Sequence, residues 1–216
     1  MLLCAILSDT LNLLGPTTTE WDRLLVAVLA DIACVNDIQF LASRQFKAKS
    51  RDLATLSAVG LVNGDQKSFS FENTAENGGF SGKIGFAVVE TTDDEVILKR
   101  LEELLPEMVA CKKERGYACL FLAIVNIVQL HSHVLLCGPT EQCLAEASFV
   151  KDGKSGDVPA DELYSHDGRL LNLGKRVSRK KDFIPAISAA IKGGWTKPKD
   201  LQRGPSATVE LTDLGQ

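Results

Sequence analysis

The sequence contains no C-x-x-C pair, only three histidines, two methionines, two tryptophans and two tyrosines, and no surplus of basic charge. Each shortage excludes something. The six cysteines, Cys4, Cys34, Cys111, Cys119, Cys137 and Cys143, stand singly, most of them in apolar surroundings such as Ile32-Ala33-Cys34-Val35. That is the pattern of free thiols in a reducing compartment, not of a disulfide framework. His131, His133 and His166 lack a cysteine pair at finger spacing, which argues against a zinc site. No apolar run approaches the ~20 residues that cross a bilayer, so no membrane contact is expected. The opening Met1-Leu2-Leu3-Cys4-Ala5-Ile6-Leu7 has no basic leader and meets an acid at Asp9, so it reads as a buried helix of a cytosolic protein rather than a signal peptide. With 24 Lys+Arg against 28 Asp+Glu the net charge is −4, which provides no general attraction for nucleic acid; any basic site must be local.

What is present is an ordinary folding chain of 216 residues, 45% hydrophobic and 24% charged. Residues 3–14 form a mostly apolar helical pattern interrupted at Ser8-Asp9-Thr10 and broken by Gly15-Pro16. Thr17 with Glu20 is a capping-box spacing that opens a second helix to about Val35. Two helical stretches follow near 37–49 and 51–61. The alternation Lys67-Ser68-Phe69-Ser70-Phe71 and the run Ile84–Val89, joined through Asn77-Gly78-Gly79, predict a hairpin. Residues 93–114 carry an unbroken helical stripe with Pro106 inside it. Tyr117–Val128 and Val134–Cys137 have the continuous apolar character of strands buried on both faces. A short helix near 140–149, a polar loop over 151–161 and a last ordered piece from Leu170 to Lys192 complete the pattern, and the tail from Gly193 is expected to be mobile. The fold class expected is α/β, a mixed sheet with helices on both faces.

Three places could carry chemistry. Asp9 sits inside an apolar helix, where it either caps and bends the helix or is a buried carboxylate neutralised by a metal. The run Lys175-Arg176-Val177-Ser178-Arg179-Lys180-Lys181 places five cations in seven residues. It is either a solvated face or a localisation signal, or else a phosphate grip pinned to the body by Phe183-Ile184-Pro185-Ala186-Ile187. Lys67 opens a strand, either as an edge lysine that discourages aggregation or as an amine projecting into a cleft.

In this order the segments Ile6-Leu7-Ser8-Asp9-Thr10, Pro16-Thr17-Thr18-Thr19 with Asp22, Asp65-x-Lys67 and Ser178-Arg179-Lys180-Lys181 resemble the C-terminal half of the DHH phosphoesterases. More narrowly, they resemble the family II (class C) inorganic pyrophosphatases and the related exopolyphosphatases and prune-type proteins. Lys47-Ala48-Lys49-Ser50 and Gly82-Lys83-Ile84-Gly85 lean toward the exopolyphosphatase branch. The resemblance spans about residues 2–192. It implies a two-domain hydrolase of phosphoanhydride bonds whose N-terminal domain holds most ligands of a manganese or magnesium pair. By the same resemblance Asp9 matches a metal-ligand position, and Lys67, Arg179 and Lys180 match cations that close on pyrophosphate or polyphosphate.

Two departures qualify this expectation. Asp182 stands where the pyrophosphatase pattern has glutamine. No Asp-His-His or Asp-His-Asp motif is present either, so the Mn2+ or Mg2+ would be held mainly by a domain this chain lacks. The organisation expected is therefore a linker remnant (1–15), a substrate-binding domain (16–192) and a tail (193–216), with negligible hydrolysis alone. A separate N-terminal domain or a homodimer partner is the expected companion. The alternative is a non-catalytic polyphosphate- or nucleotide-binding or regulatory module.

Overall fold

In the computed structural model of the chain, which describes residues 1–72, 79–151 and 153–198, six strands form one mixed sheet. They are β1 (Gln66–Phe71), β2 (Gly82–Thr91), β3 (Cys119–Asn126), β4 (His131–Leu136), β5 (Tyr164–Ser165) and β6 (Leu170–Gly174), in the order β1-β2-β3-β4-β6-β5. Only β2 and β3 run parallel; the other pairs are antiparallel. A parallel pair needs a crossover, and the connecting chain provides it as α5 (Asp94–Leu98) and α6 (Leu101–Glu114).

Side-chain alternation divides the core in two. Ile84, Phe86 and Val88 of β2 and Cys119, Phe121, Ala123 and Val125 of β3 face one layer. That layer is formed by α1 (Leu2–Asp9), α2 (Glu20–Ile32), α3 (Ile38–Thr55), α7 (Pro139–Phe149) and α8 (Ile184–Lys192). Ala87 and Val89 with Leu120, Leu122 and Ile124 face the other, covered by α4 (Ala58–Gly64), α5 and α6. All eight residues of β3 are buried, the apolar run Cys119–Val125 as a strand covered on both faces requires, and Asn126 with its side chain hydrogen-bonded to Asp94. The α/β class with helices on both faces is therefore the observed one.

Several element boundaries differ from the sequence pattern, each for a local reason. Thr19, not Thr17, caps α2: its hydroxyl accepts from the Asp22 amide at 3.2 Å while the Asp22 carboxylate accepts from the Thr19 amide at 2.8 Å. The helix expected over 37–49 runs on to Thr55, because the break comes only at Ser57, whose hydroxyl accepts from Gly60 and starts α4. The stripe over 93–114 splits at Lys99–Arg100, its halves tied to different neighbours. Asp94 bonds Asn126 and His131, while the Arg100 guanidinium donates to the Leu56 carbonyl and to Glu103. β4 begins three residues earlier than expected, at His131. Among the described residues no helix is long and apolar enough to cross a membrane. Of the expected hairpin loop, Asn77 and Gly78 lie outside the described residues; so does the tail beyond Pro198, while Trp195 packs edge-on against Phe80 at 5.3 Å.

Candidate anion-binding cleft

β1 places Lys67. In the antiparallel ladder Lys67 stands opposite Phe86, so both side chains share the face that carries α1 and α8. Farther along β2, Val88 and Glu90 project on that same face. The Glu90 carboxylate is met by the Lys49 ammonium of α3 at 2.6 Å.

The segment after β6 places the other two cations. Residues Arg179–Phe183 make one π-type turn, in which the Phe183 amide donates to the Ser178 carbonyl at 3.1 Å. Such wide turns recur at functional positions because they aim side chains that an α-turn would bury. The turn is fastened from both ends. The Ser178 hydroxyl accepts from the Lys181 amide, and the Asp182 carboxylate accepts from the Val177 and Ser178 amides at 3.0 and 2.8 Å. Phe183, fully buried, stacks on Phe86 with centroids 5.2 Å apart, and Phe86 meets Phe121 at 5.8 Å. The apolar sequel thus anchors the turn to the sheet beside Lys67.

Arg179 reaches back across that anchor. Its Nη1 donates to the Asp65 carbonyl at 2.8 Å and to the Phe86 carbonyl at 3.4 Å, and its Nη2 to Asp65 Oδ1 at 2.8 Å. The guanidinium is mostly buried, at 13% side-chain exposure, whereas Lys67 and Lys180 are exposed and make no hydrogen bond or ion pair among the described residues.

The third wall comes from the chain after α1. Leu11, Asn12 and Leu13 take left-handed φ values of 49°, 58° and 64°, an uncommon run for residues other than glycine. The Thr10 hydroxyl holds the bend, donating to the Ile6 carbonyl at 2.6 Å and accepting from the Leu13 amide at 3.1 Å. Gly15 then closes on Thr10 so tightly that a Cβ would meet the Thr10 carbonyl oxygen at 2.9 Å. The Thr17 hydroxyl donates to the Asp9 carbonyl, tying this lip to the end of α1.

These elements enclose a cleft of about 180 Å³ whose lining includes Asp9, Gly15, Thr17, Asp65, Lys67, Glu90, Ser178, Arg179 and Lys180. Lys67, Arg179 and Lys180 also border an adjoining hollow of about 420 Å³ floored by Phe69, Ile184 and Pro185, so the cations form a ridge between two concavities. All four residues singled out in the sequence meet here. Asp9 is exposed, so of its two readings the buried carboxylate does not hold: α1 ends at Asp9 and turns it to solvent. Of the five cations in the basic run only Arg179 and Lys180 line the cleft. Arg176 donates to the Ser155 hydroxyl at 2.7 Å, and Lys175 pairs with Asp157 at 3.5 Å.

Electrostatically the lining balances three cations against the carboxylates Asp9, Asp65 and Glu90. Lys49 neutralises Glu90 and Arg179 engages Asp65, leaving Lys67 and Lys180 facing Asp9. The part played by Asp65 and Lys49 as counterions is invisible in the sequence, since each pairs with a residue at least 41 positions away. The cleft carboxylates do not fit a metal ion by themselves. Among the described residues, three donors come within ligating reach only at Asp94, His131 and His133, although the lack of a cysteine pair near these histidines argues against a zinc site of the finger type.

Comparison with known proteins places this geometry. The DHHA2 domain family matches residues 43–190. The probable manganese-dependent inorganic pyrophosphatase of Deinococcus radiodurans is 34% identical over 187 residues, covering 87% of this chain and 54% of the relative. The manganese-dependent inorganic pyrophosphatase of Methanocaldococcus jannaschii is 29% identical, with 89% of this chain and 55% of the relative covered. A crystal structure of a Methanococcus jannaschii protein, solved as a family II inorganic pyrophosphatase, superposes with a TM-score of 0.70 at 29% identity, covering 89% of this chain and 54% of that one. The chain thus spans about half the length of the relatives it matches. It belongs to the DHHA2 domain family and corresponds to the C-terminal part of the family II inorganic pyrophosphatases.

Proposed function

We propose that this chain is the substrate-binding part of a phosphoanhydride hydrolase and that it binds pyrophosphate through Lys67, Arg179 and Lys180. The single observation that carries the reading is their presence on one cleft, although Lys67 and Arg179 lie 112 positions apart in the sequence. Two flexible ammonium groups without partners among the described residues and one guanidinium held rigid by carbonyls suit an anion with several oxygens: the ammoniums act as mobile point charges, the guanidinium as a fixed fork. Such cations neutralise the transferred and leaving phosphates and so favour attack on phosphorus.

The relatives' names specify manganese, and a divalent metal is part of this reading. In it Asp9 contributes one ligand from the cleft rim, and the remaining ligands come from residues outside this chain. Manganese, or magnesium in its place, would activate the attacking water. Taken alone the chain binds pyrophosphate weakly, since three carboxylates balance the three cations of its cleft lining, and hydrolyses it negligibly, since most metal ligands lie outside it. Polyphosphate, a longer anion of the same chemistry, could extend along the ridge into the second hollow.

Titration calorimetry of the purified chain with pyrophosphate tests the reading. Saturable binding that Lys67→Ala and Lys180→Ala each weaken supports it. Unchanged affinity in both variants overturns it, and so does robust manganese-dependent phosphate release by the chain alone.

A second reading, a binding or regulatory module that docks on a partner, has its own observation. Trp21, Leu25, Val28 and Ile32 lie at helical spacing on α2 and are 71%, 43%, 48% and 73% exposed, an apolar stripe open to solvent. Mixing the chain with a separately expressed metal-binding DHH domain separates the two. Restored hydrolysis favours the split hydrolase, whereas retained anion binding without hydrolysis favours the module.

A further inference from the structure

On the opposite face of the sheet from the cleft, Asp94, His131 and His133 gather one ligand atom each within 4.8 Å of one another. His131 and His133 are two apart on β4, so both project to the side of Leu135, toward α5. Asp94, the first residue of α5, is 7% exposed and approaches them from the crossover. Its Oδ2 lies 2.8 Å from His131 Nε2 and 3.7 Å from His133 Nδ1. Donor atoms around a tetrahedral zinc ion, with bonds of about 2.05 Å, stand about 3.3 Å apart, a value these two distances bracket.

Two further features make this more than a chance cluster. His133 Nδ1 is shut off from solvent and has no hydrogen-bond partner among the described residues, an unused lone pair or N–H beside a carboxylate oxygen. The other Asp94 oxygen is held by the Asn126 side-chain amide at 2.8 Å, and the Asn126 carbonyl accepts from the Val128 and Gln129 amides. The carboxylate is thereby oriented by a second residue that is itself oriented, as around metal ligands.

We propose that Asp94, His131 and His133 bind one first-row transition cation of the zinc class, with water completing the coordination. Two imidazoles and one carboxylate select zinc, cobalt or copper over magnesium and calcium, and rank manganese below zinc. The ion would clamp the start of α5 to β4 and so brace the crossover between β2 and β3. The cysteine-based argument against zinc in the sequence does not reach this set, because it needs no thiol. The site is independent of the pyrophosphate reading.

The test uses the full chain, stripped of metal with a chelator, dialysed and titrated with cobalt(II), zinc and manganese chlorides. The expected result is one cobalt per chain by visible absorption, no sulfur-to-cobalt charge-transfer band, zinc tighter than manganese by calorimetry, and an unfolding temperature that rises with zinc. His133→Gln is the cleanest variant, because His133 Nδ1 has no hydrogen bond to lose; it should weaken cobalt binding at least about tenfold and leave the metal-free unfolding temperature unchanged. His131→Gln should weaken binding likewise, so a folding defect in one variant leaves the other as the test. No saturable binding, a sulfur band that assigns the metal to cysteine, manganese preferred over zinc, or full retention of affinity in a folded His133→Gln protein would each overturn the assignment.

Discussion

Replacing Arg179 by alanine should damage pyrophosphate binding more than replacing Lys180, for a reason specific to the cleft. Lys180 is exposed and its side chain makes no hydrogen bond or ion pair among the described residues, so Lys180→Ala removes one point charge. At near-bulk dielectric that is about 1 kcal/mol, or about fivefold in affinity. Arg179→Ala removes charge-assisted hydrogen bonds of about 1.5–3 kcal/mol, about 10- to 150-fold. It also releases Asp65, whose side chain is 55% exposed and whose carboxylate is held by the guanidinium at 2.8 Å. An unmasked carboxylate in the cleft repels the incoming anion by a further ~1 kcal/mol. The double variant Asp65→Asn/Arg179→Ala should therefore bind about fivefold more tightly than Arg179→Ala alone, while Arg179→Lys falls between wild type and alanine. Calorimetry at low salt reads the affinities, and thermal unfolding confirms that Phe183 still anchors the turn. Equal losses for the two alanine variants, or no recovery in the double variant, would refute the account.

Further outcomes follow from the same geometry. In the chain alone Asp9→Asn removes a negative charge from the rim and should tighten pyrophosphate binding about fivefold, with calorimetry at unchanged or lower affinity counting against it. Lys112→Ala strands Glu141, which is fully buried and meets the Lys112 ammonium at 2.6 Å and the Leu120 amide at 3.0 Å. The cost should be about 3 kcal/mol, visible as a lowered denaturation midpoint that Glu141→Gln partly restores. Burial pushes the Cys137 thiol up to about 12 from 9.0 and raises Cys119 as well, so Cys137 holds about a thousandfold less thiolate than an ordinary cysteine. An alkylating reagent at neutral pH should therefore label exposed Cys34 first and leave Cys119 and Cys137 untouched until the chain unfolds, a result checked by peptide mass spectrometry. Gly85→Ala would place a Cβ 2.6 Å from the Tyr117 ring and should destabilise by about 1–3 kcal/mol in denaturant titration.

The sheet was legible because its signals are local. The apolar run Cys119–Val125 of β3, the alternation of β1 and the stripe along α6 are written at the period of the element that forms. So was the anchoring of the basic turn, because Phe183 and Ile187 follow the cations directly and both become fully buried. Boundaries set by competition between nearby hydroxyls were less legible: Thr17 and Thr19 each offer a cap, and Thr19 with Asp22 forms the reciprocal one. Long-range electrostatics were not legible at all. Nothing adjacent to Asp65 announces that Arg179 will hold it. Likewise the His-x-His spacing on β4 acquires meaning only once the crossover brings Asp94 beside it, 37 positions from His131.

Lys67 serves the cleft only as long as β1 keeps its register, since a shift of one residue would send its side chain to the opposite face. The β1–β2 ladder alone does not secure an edge strand, and three contacts outside the ladder do. The Tyr117 hydroxyl meets the Ser68 hydroxyl at 2.6 Å and the Gln66 side-chain carbonyl at 3.1 Å. The Arg115 guanidinium donates to the same Gln66 oxygen at 2.9 Å. Tyr117 can lie there because Gly85, opposite Ser68, has no side chain in its way. The glycine, the tyrosine and the arginine do not line the cleft, yet they help decide which side of the sheet receives the lysine. Arg179 adds a constraint from the other face by gripping the Asp65 carbonyl just before the strand begins. Arg179 and the strand that carries Lys67 are thus tied through one residue, Asp65, whose carbonyl and carboxylate the guanidinium holds together.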